Sequence, residues 1–314
     1  MKKIVRYLLI IAVIFLATIV VVSIFYAQSI YRNLVAGNRS EFPYLLTKIF
    51  DRLSPSSPLV PILKAEYTIQ ILEGWTNQDI ARYLAEKGNW TTKDFLEVAG
   101  SAQFSDSGSA VAASSTELAA RFSFLEDRPK NVGLEGYLFP DTYRIYASST
   151  VKEIIVRMLN NFNEKLTSKM RADIKSQGKT IYDIIIMASL IEKEAPINYK
   201  QGNNSDAKII SGIFWDRLKN NQALESDATL SYILKDNQPS HSGQELEINS
   251  PYNTYKYRGL PPGPICNPGL LAIEAAIYPT WSQYNYFLSP PEKNTVIYAK
   301  TYDEHLKNVY QYLR

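Results

Sequence analysis

Thr180-Ile181-Tyr182-Asp183-Ile184-Ile185-Ile186-Met187-Ala188-Ser189-Leu190-Ile191-Glu192-Lys193-Glu194-Ala195-Pro196 is a helix that is apolar nearly all round, so it belongs inside a core rather than on a surface. Pro196 prevents its continuation, because proline has no N–H to give and its ring clashes with the preceding turn. On its amino side the sequence predicts one long amphipathic helix from Val151 to Ser176, stopped by Gly178. On its carboxyl side come a helix over 205–220, a short one after Ser226, and a Pro-, Gly-, Asn- and Tyr-rich loop from His241 to Pro268. The tail reads helix (268–277), strand, turn (290–294), strand (295–299) and closing helix.

Further upstream, Tyr67, Ile69 and Ile71 alternate as in a strand, and Glu73-Gly74-Trp75 turns the chain. Thr76 with Asp79, and Thr91 with Asp94, are capping-box pairs for two helices, the first ended by Gly88. Gly100 to Ser115 reads as a surface loop, followed by a short helix over 116–122. Leu134 to Tyr143 forms a turn that leads into the strand Tyr143 to Tyr146. Helices and short strands occur in separate runs, so the fold class is α+β. The expected organisation is a cytoplasmic tail (1–6), a transmembrane anchor (7–30), a Pro-rich juxtamembrane spacer (31–64), a small α+β subdomain (65–147) and a mixed, mainly helical domain (148–314). The anchor is read from an uncharged apolar run long enough to cross the roughly 30 Å hydrocarbon core. Lys2, Lys3 and Arg6 before it place the amino end in the cytoplasm and the remainder on the other side.

The 314 residues are 46% hydrophobic and 21% charged, which suits a globular chain. With 34 basic and 31 acidic residues and no basic block, nucleic-acid binding is not expected. Cys266 is the one cysteine and stands far from the two histidines, His241 and His305, so neither a metal site nor a cofactor is expected. The 22 tyrosines suit a groove for a polar polymer, although composition alone favours an ordinary surface. Ser176-Gln177-Gly178-Lys179 has the Ser-x-x-Lys spacing of penicillin-binding peptidases, but in Ser226-Asp227-Ala228 the Asn of their second motif is missing. Acyl-hydrolase elbows and phosphate-binding loops are absent from the sequence.

The chemistry concentrates on the two glutamates closing the 180–195 helix. Glu194 falls in line with Ile191, Leu190 and Met187, whereas Glu192 falls with Ala188 and Ser189, about 200° away around the axis. A carboxyl on the greasier stripe loses hydration, and negative charge at a helix carboxyl end is disfavoured. Both effects hold the proton that a general acid needs. The residues alone leave open that both are solvated caps balanced by Lys193.

Taken together, Glu73-Gly74-Trp75, Leu134 to Tyr143, Ala188 to Ala195, Ser226 to Thr229, Ser250 to Tyr255, Gly259 to Ile265 and Asn267-Pro268-Gly269 resemble the YceG-like endolytic murein transglycosylases (MltG), in the family's order. The resemblance implies a lytic transglycosylase that cleaves the MurNAc–GlcNAc bond of nascent peptidoglycan and leaves 1,6-anhydro ends. Its catalytic residue carries over to Glu194. It also implies substrate contacts from Asp227, Thr229, Tyr252, Asn253 and Tyr255, each of which could instead be a loop hydrogen bond, and Asp227 an N-cap. Implied partners are peptidoglycan strands, the cell membrane and cell-wall synthesis proteins. Members carry a LysM-like part ahead of Glu-Gly-Trp, which the short spacer leaves truncated or absent. The rival readings are a hydrolytic muramidase and a non-catalytic scaffold.

Overall fold

The computed structural model describes Ile24 and residues 66–100, 117–130, 132–236, 238, 240–290 and 295–312. All but Ile24 lie in the unit that runs from Lys64 to Arg314. Apart from Ile24, the expected anchor and spacer fall outside the described residues, as does most of the Gly100–Ser115 loop and of the turn after Pro290. Among the described residues no helix is long and apolar enough to cross a membrane.

Among the described residues the architecture is α+β, with many helices and two small sheets. β1 (Glu66–Gln70) pairs antiparallel with β2 (Thr142–Tyr146), Glu66 opposite Tyr146 and Gln70 opposite Thr142. Between them lie α1 (Asn77–Lys87), α2 (Thr92–Ala99), α3 (117–121) and a 3-10 turn, Ser123–Leu125. The Thr76 box is complete: Thr76 Oγ1 accepts from the Asp79 N–H at 3.1 Å, and Asp79 accepts from the Thr76 N–H at 2.9 Å. The second is half formed, with Thr91 Oγ1 accepting from the Asp94 N–H at 3.0 Å and no return bond among the described residues.

The long helix expected over 151–176 is two, α4 (Val151–Lys165) and α5 (Ser168–Ser176). Leu166 leaves helical geometry at φ −78°, ψ 83°, and Thr167 caps α5 by accepting from the Met170 N–H at 3.2 Å. A threonine that can satisfy a helix's free N–H groups competes with helix continuation. Arg171 then folds back over the break, donating to Leu166 O at 2.9 Å and Asn163 O at 3.0 Å, so the carbonyls freed there keep partners.

α6 (Ile181–Glu194) is the central helix, started by a full Thr180–Asp183 capping box. It packs against α5, α7 (Ser205–Lys219), α8 (Asp227–Leu234) and, most extensively, α9 (Leu270–Ile277). Ile184, Ile185, Met187, Ala188, Leu190 and Ile191 are all 0% exposed, as the all-round apolar pattern predicts. Each full-sized side chain among them contributes roughly 1.5–3 kcal/mol by leaving water. Ser189 is the small polar exception: its hydroxyl donates to Ile186 O at 2.7 Å and accepts from the Ile265 N–H at 3.0 Å, docking the loop that ends at Pro268. Gly136, at φ +88°, meets α6 where a Cβ would stand 2.6 Å from Ile185 Cγ2 and 2.7 Å from Pro264 Cβ, so only glycine fits the turn. The chain closes with the antiparallel pair β3 (Tyr286–Leu288) and β4 (Ile297–Ala299), covered by α10 (Tyr302–Tyr312).

Candidate active site

The last turn of α6 carries Glu192 and Glu194 into different surroundings. Glu194 lines a cleft of about 1380 Å³, larger than the roughly 300–1,000 Å³ of ordinary small-molecule pockets. Ser226 Oγ donates to Glu194 Oε1 at 2.5 Å, and the Ala228 N–H, one of the free donors at the start of α8, also bonds the carboxyl. Burial pushes Glu194 above the usual carboxylate range, and the neighbouring Asp227 adds to the rise. The Ser226 and Ala228 bonds and the Arg217 guanidinium oppose it without reversing it. The carboxyl therefore holds its proton more tightly than an exposed glutamate does, and it stands at the wall of a cleft.

Glu192 does not line that cleft. Its Oε2 accepts from the Tyr199 hydroxyl and from the Gly269 N–H at 2.9 Å, and burial lifts its pKa to about 7. The greasier stripe thus does not separate the two acids by protonation, since both sides of α6 are dehydrated. Access to the cleft separates them.

Of the other expected site residues, the structure brings Asp227, Tyr252 and Tyr255 to the cleft beside Glu194. Asp227 is the first residue of α8 and not its N-cap; Ser226 holds that position and spends its hydroxyl on Glu194. The Asp227 carboxyl bonds the Tyr255 hydroxyl, and its Oδ1 lies 3.4 Å from Nδ1 of His241, whose side chain is sealed from solvent. Burial, with Asp227 next, pushes the Tyr255 phenol well up.

Thr229 and Asn253 are not at the cleft; each is 0% exposed. Thr229 Oγ1 donates to Ser226 O at 2.7 Å and lies 3.0 Å from Thr254 Oγ1, which in turn accepts from the Ser226 N–H at 3.0 Å. The Ser250–Tyr255 loop and the start of α8 are thereby one hydrogen-bonded block that sets the position of Ser226. Asn253 spends its amide on Leu246 O and Ile248 O, at 2.8 and 2.9 Å, and its oxygen on the Tyr255 N–H at 3.0 Å. It shapes the loop from a position closed to solvent.

Three residues in or next to the cleft were not singled out as site residues by the sequence: Arg217 and Glu135 line it, and Ser226 stands behind its wall, bonded to Glu194. Ser226 contacts an acid 32 positions away, so no local spacing announces it. Arg217 holds its place by donating to Leu224 O at 2.6 Å and Asn285 O at 3.0 Å, again through partners in other elements. Glu135 is a buried carboxyl lifted to about 8 by desolvation; its Oε1 accepts from the Asn77 N–H at 2.9 Å and from Asn267 Nδ2 at 3.2 Å. Asn267 also donates to Trp75 O at 3.0 Å and accepts from the Leu138 N–H at 2.9 Å, binding together three of the motifs quoted above. Among the described residues there is no cluster able to hold a metal ion.

The YceG-like family model matches residues 45–311. The chain is 32% identical over 309 residues to an endolytic murein transglycosylase of Streptococcus pneumoniae serotype 2 (strain D39), covering 92% of the chain and 53% of that protein. It is 36% identical over 180 residues to the endolytic murein transglycosylase of Bacillus subtilis (strain 168), covering 57% of the chain and 48% of that protein. The crystal structure of a putative YceG-like protein from Listeria monocytogenes superposes with a TM-score of 0.63 at 33% identity, covering 76% of this chain and 75% of the other. The chain spans about half the length of the curated relatives it matches.

Proposed function

The chain belongs to the YceG-like family, and from that premise we propose that it is an endolytic peptidoglycan lytic transglycosylase in which Glu194 is both acid and base. The observation that carries the proposal is the placement of Glu194: its proton affinity is raised by burial, yet it stands on the wall of a cleft larger than ordinary small-molecule pockets. Glu194 donates that proton to the oxygen between N-acetylmuramic acid and N-acetylglucosamine, and the bond from the muramic C1 to that oxygen breaks. The muramic 6-hydroxyl oxygen then bonds to C1 and gives its proton to the Glu194 carboxylate. The acid is restored, a 1,6-anhydro end remains, and no water is consumed. One carboxyl suffices because the nucleophile is part of the substrate, and its attack gains from proximity. Ser226 and the Ala228 N–H stabilise the carboxylate formed midway, since both bonds favour the charged form.

Asp227 and Tyr255, bonded to each other at the cleft, are proposed to contact the glycan, and Tyr252 to flank it. Thr229 and Asn253 act behind them as supports. The experiment is digestion of purified glycan strands followed by mass spectrometry. The proposal requires products lighter by one water than hydrolysis products, and their loss in Glu194→Gln. A hydrolytic muramidase is the second reading, favoured by the nearness of the Asp227 carboxyl to Glu194, as two-carboxylate glycosidases require. Hydrated reducing ends, lost in Asp227→Asn, would establish it instead.

The uncharged apolar stretch 7–30 after Lys2, Lys3 and Arg6 supports a single-pass anchor with the catalytic part outside the cytoplasm, where nascent glycan and its synthesis proteins are found. The 65–147 segment is proposed as the subdomain that remains where the LysM-like part is truncated. Protease treatment of intact spheroplasts tests the location: degradation of an epitope at the carboxyl end is expected, and its protection would reverse the orientation.

A further inference from the structure

The cleft that holds Glu194 continues to β3 and α10, where Tyr286, Tyr302 and His305 line it. The three rings form a cluster. Tyr286 stacks on His305 with centroids 5.4 Å apart and planes 25° apart, and Tyr302 lies 5.9 Å from Tyr286 and 6.4 Å from His305. Arg217 stands 5.6 Å from the centre of the Tyr286 ring. Its bonds to Leu224 O and Asn285 O fix the cluster relative to the acid, and Ser289, just after β3, donates to Glu194 O at 3.2 Å. Burial and the Arg217 charge lower the His305 pKa, so this ring is uncharged at neutral pH. Tyr302 is 57% exposed, on a helix with no buried residue.

We propose that Tyr302, backed by Tyr286 and His305, is a remote subsite on which a hexosamine ring of the glycan strand stacks, away from the bond being cut. A single exposed tyrosine would mean little, because apolar surface is common on folded proteins. Here the ring belongs to a three-ring shelf that lines the same cleft as Glu194, and the cleft's volume exceeds that of ordinary small-molecule pockets, leaving room for an extended ligand. A pyranose presents a C–H face with polar edges, which suits a flat ring carrying a hydroxyl rim. The inference rests on the glycan-cutting reading above and adds a length preference to it, because only a strand reaching past the scissile bond can use the shelf.

The test uses the full chain carrying Glu194→Gln, with end-labelled, peptide-free long glycan strands and with the disaccharide MurNAc–GlcNAc, each followed by fluorescence anisotropy. Adding Tyr302→Ala should weaken binding of long strands about tenfold, while Tyr302→Phe keeps it within about twofold. Affinity for the disaccharide should not change. Equal losses on long and short ligands, undiminished binding in Tyr302→Ala, a Phe variant as weak as Ala, or failure of the parent to bind long strands would each overturn the subsite. Persisting cleavage by Glu194→Gln would instead strike the assigned acid, leaving the comparison of Tyr302 variants intact.

Discussion

Glu192 and Glu194 stand two residues apart on α6 and share the same chemistry, yet they face two unlike regions. On the Glu192 side, Tyr199 and Gly269 close over the carboxyl with a hydroxyl and an N–H. On the Glu194 side, Ser226 and Ala228 hold the carboxyl from one flank while the cleft lies open on the other. Burial raises both acids, so a raised pKa does not by itself mark the catalytic group. What differs is whether a substrate oxygen can reach the proton.

The largest expected effect tests that difference directly. Glu194→Gln should lower turnover of glycan strands by about 10³-fold or more, the scale of a lost general acid, while Glu192→Gln stays within about tenfold of the parent. The reverse ranking would assign the acid to the wrong side of the helix. Next in size is a stability effect confined to the Glu192 side. Glu192→Ala strands the Tyr199 hydroxyl and the Gly269 N–H, costing about 2–4 kcal/mol, which urea denaturation would reveal. An unchanged urea midpoint would show that these bonds do not hold that region.

A pH experiment sharpens the comparison further. In the proposed mechanism cleavage requires protonated Glu194, so activity should fall as pH rises through a pKa above the usual carboxylate range. Asp227→Asn removes a neighbour that raises this pKa and should move the falling limb to lower pH. Ser226→Ala removes a bond that lowers it and should move the limb to higher pH. Shifts in the same direction would show that another group controls the limb.

The third buried carboxyl, Glu135, bears on stability. Unfolded, it releases its proton near 4.5; folded, it keeps it to about 8. The folded state therefore binds the extra proton between those values, and stability falls with rising pH across that window by up to about 1.4 kcal/mol per unit. Glu135→Gln, which keeps an acceptor for the Asn77 N–H, should flatten that slope in urea titrations between pH 5 and pH 8. A slope as steep as the parent's would mean that other groups set it. The smallest effect is expected from Tyr199→Phe, which removes one bond to Glu192 and should change stability by only about 1 kcal/mol and cleavage not at all.

Particular elements show what could be read before any tertiary contact was known. The burial of α6 follows from having almost no polar face, and the starts of α1 and α6 follow from Thr76 with Asp79 and Thr180 with Asp183, whose bonds close within four residues. The break at Leu166 was hidden because a helical hydrophobic period runs across it, and Thr167 reveals itself as a cap only once the chain has turned there. Asp227, Tyr252 and Tyr255 line the cleft, whereas Thr229 and Asn253, from the same motifs, lie behind it, a difference that motif membership does not carry.

Sequence alone, then, determined what depends on neighbours a few residues apart: the apolar central helix, its caps, the paired glutamates at its end and the order of the motifs. Tertiary structure alone decided which glutamate meets the cleft. The partners that decide it, Ser226 for Glu194 and Gly269 for Glu192, lie 32 and 77 residues along the chain, and Tyr199 reaches Glu192 only because the segment after Pro196 folds back. A carboxyl's proton affinity and its access to solvent are set by whatever packs around it, and helical spacing carries no record of that.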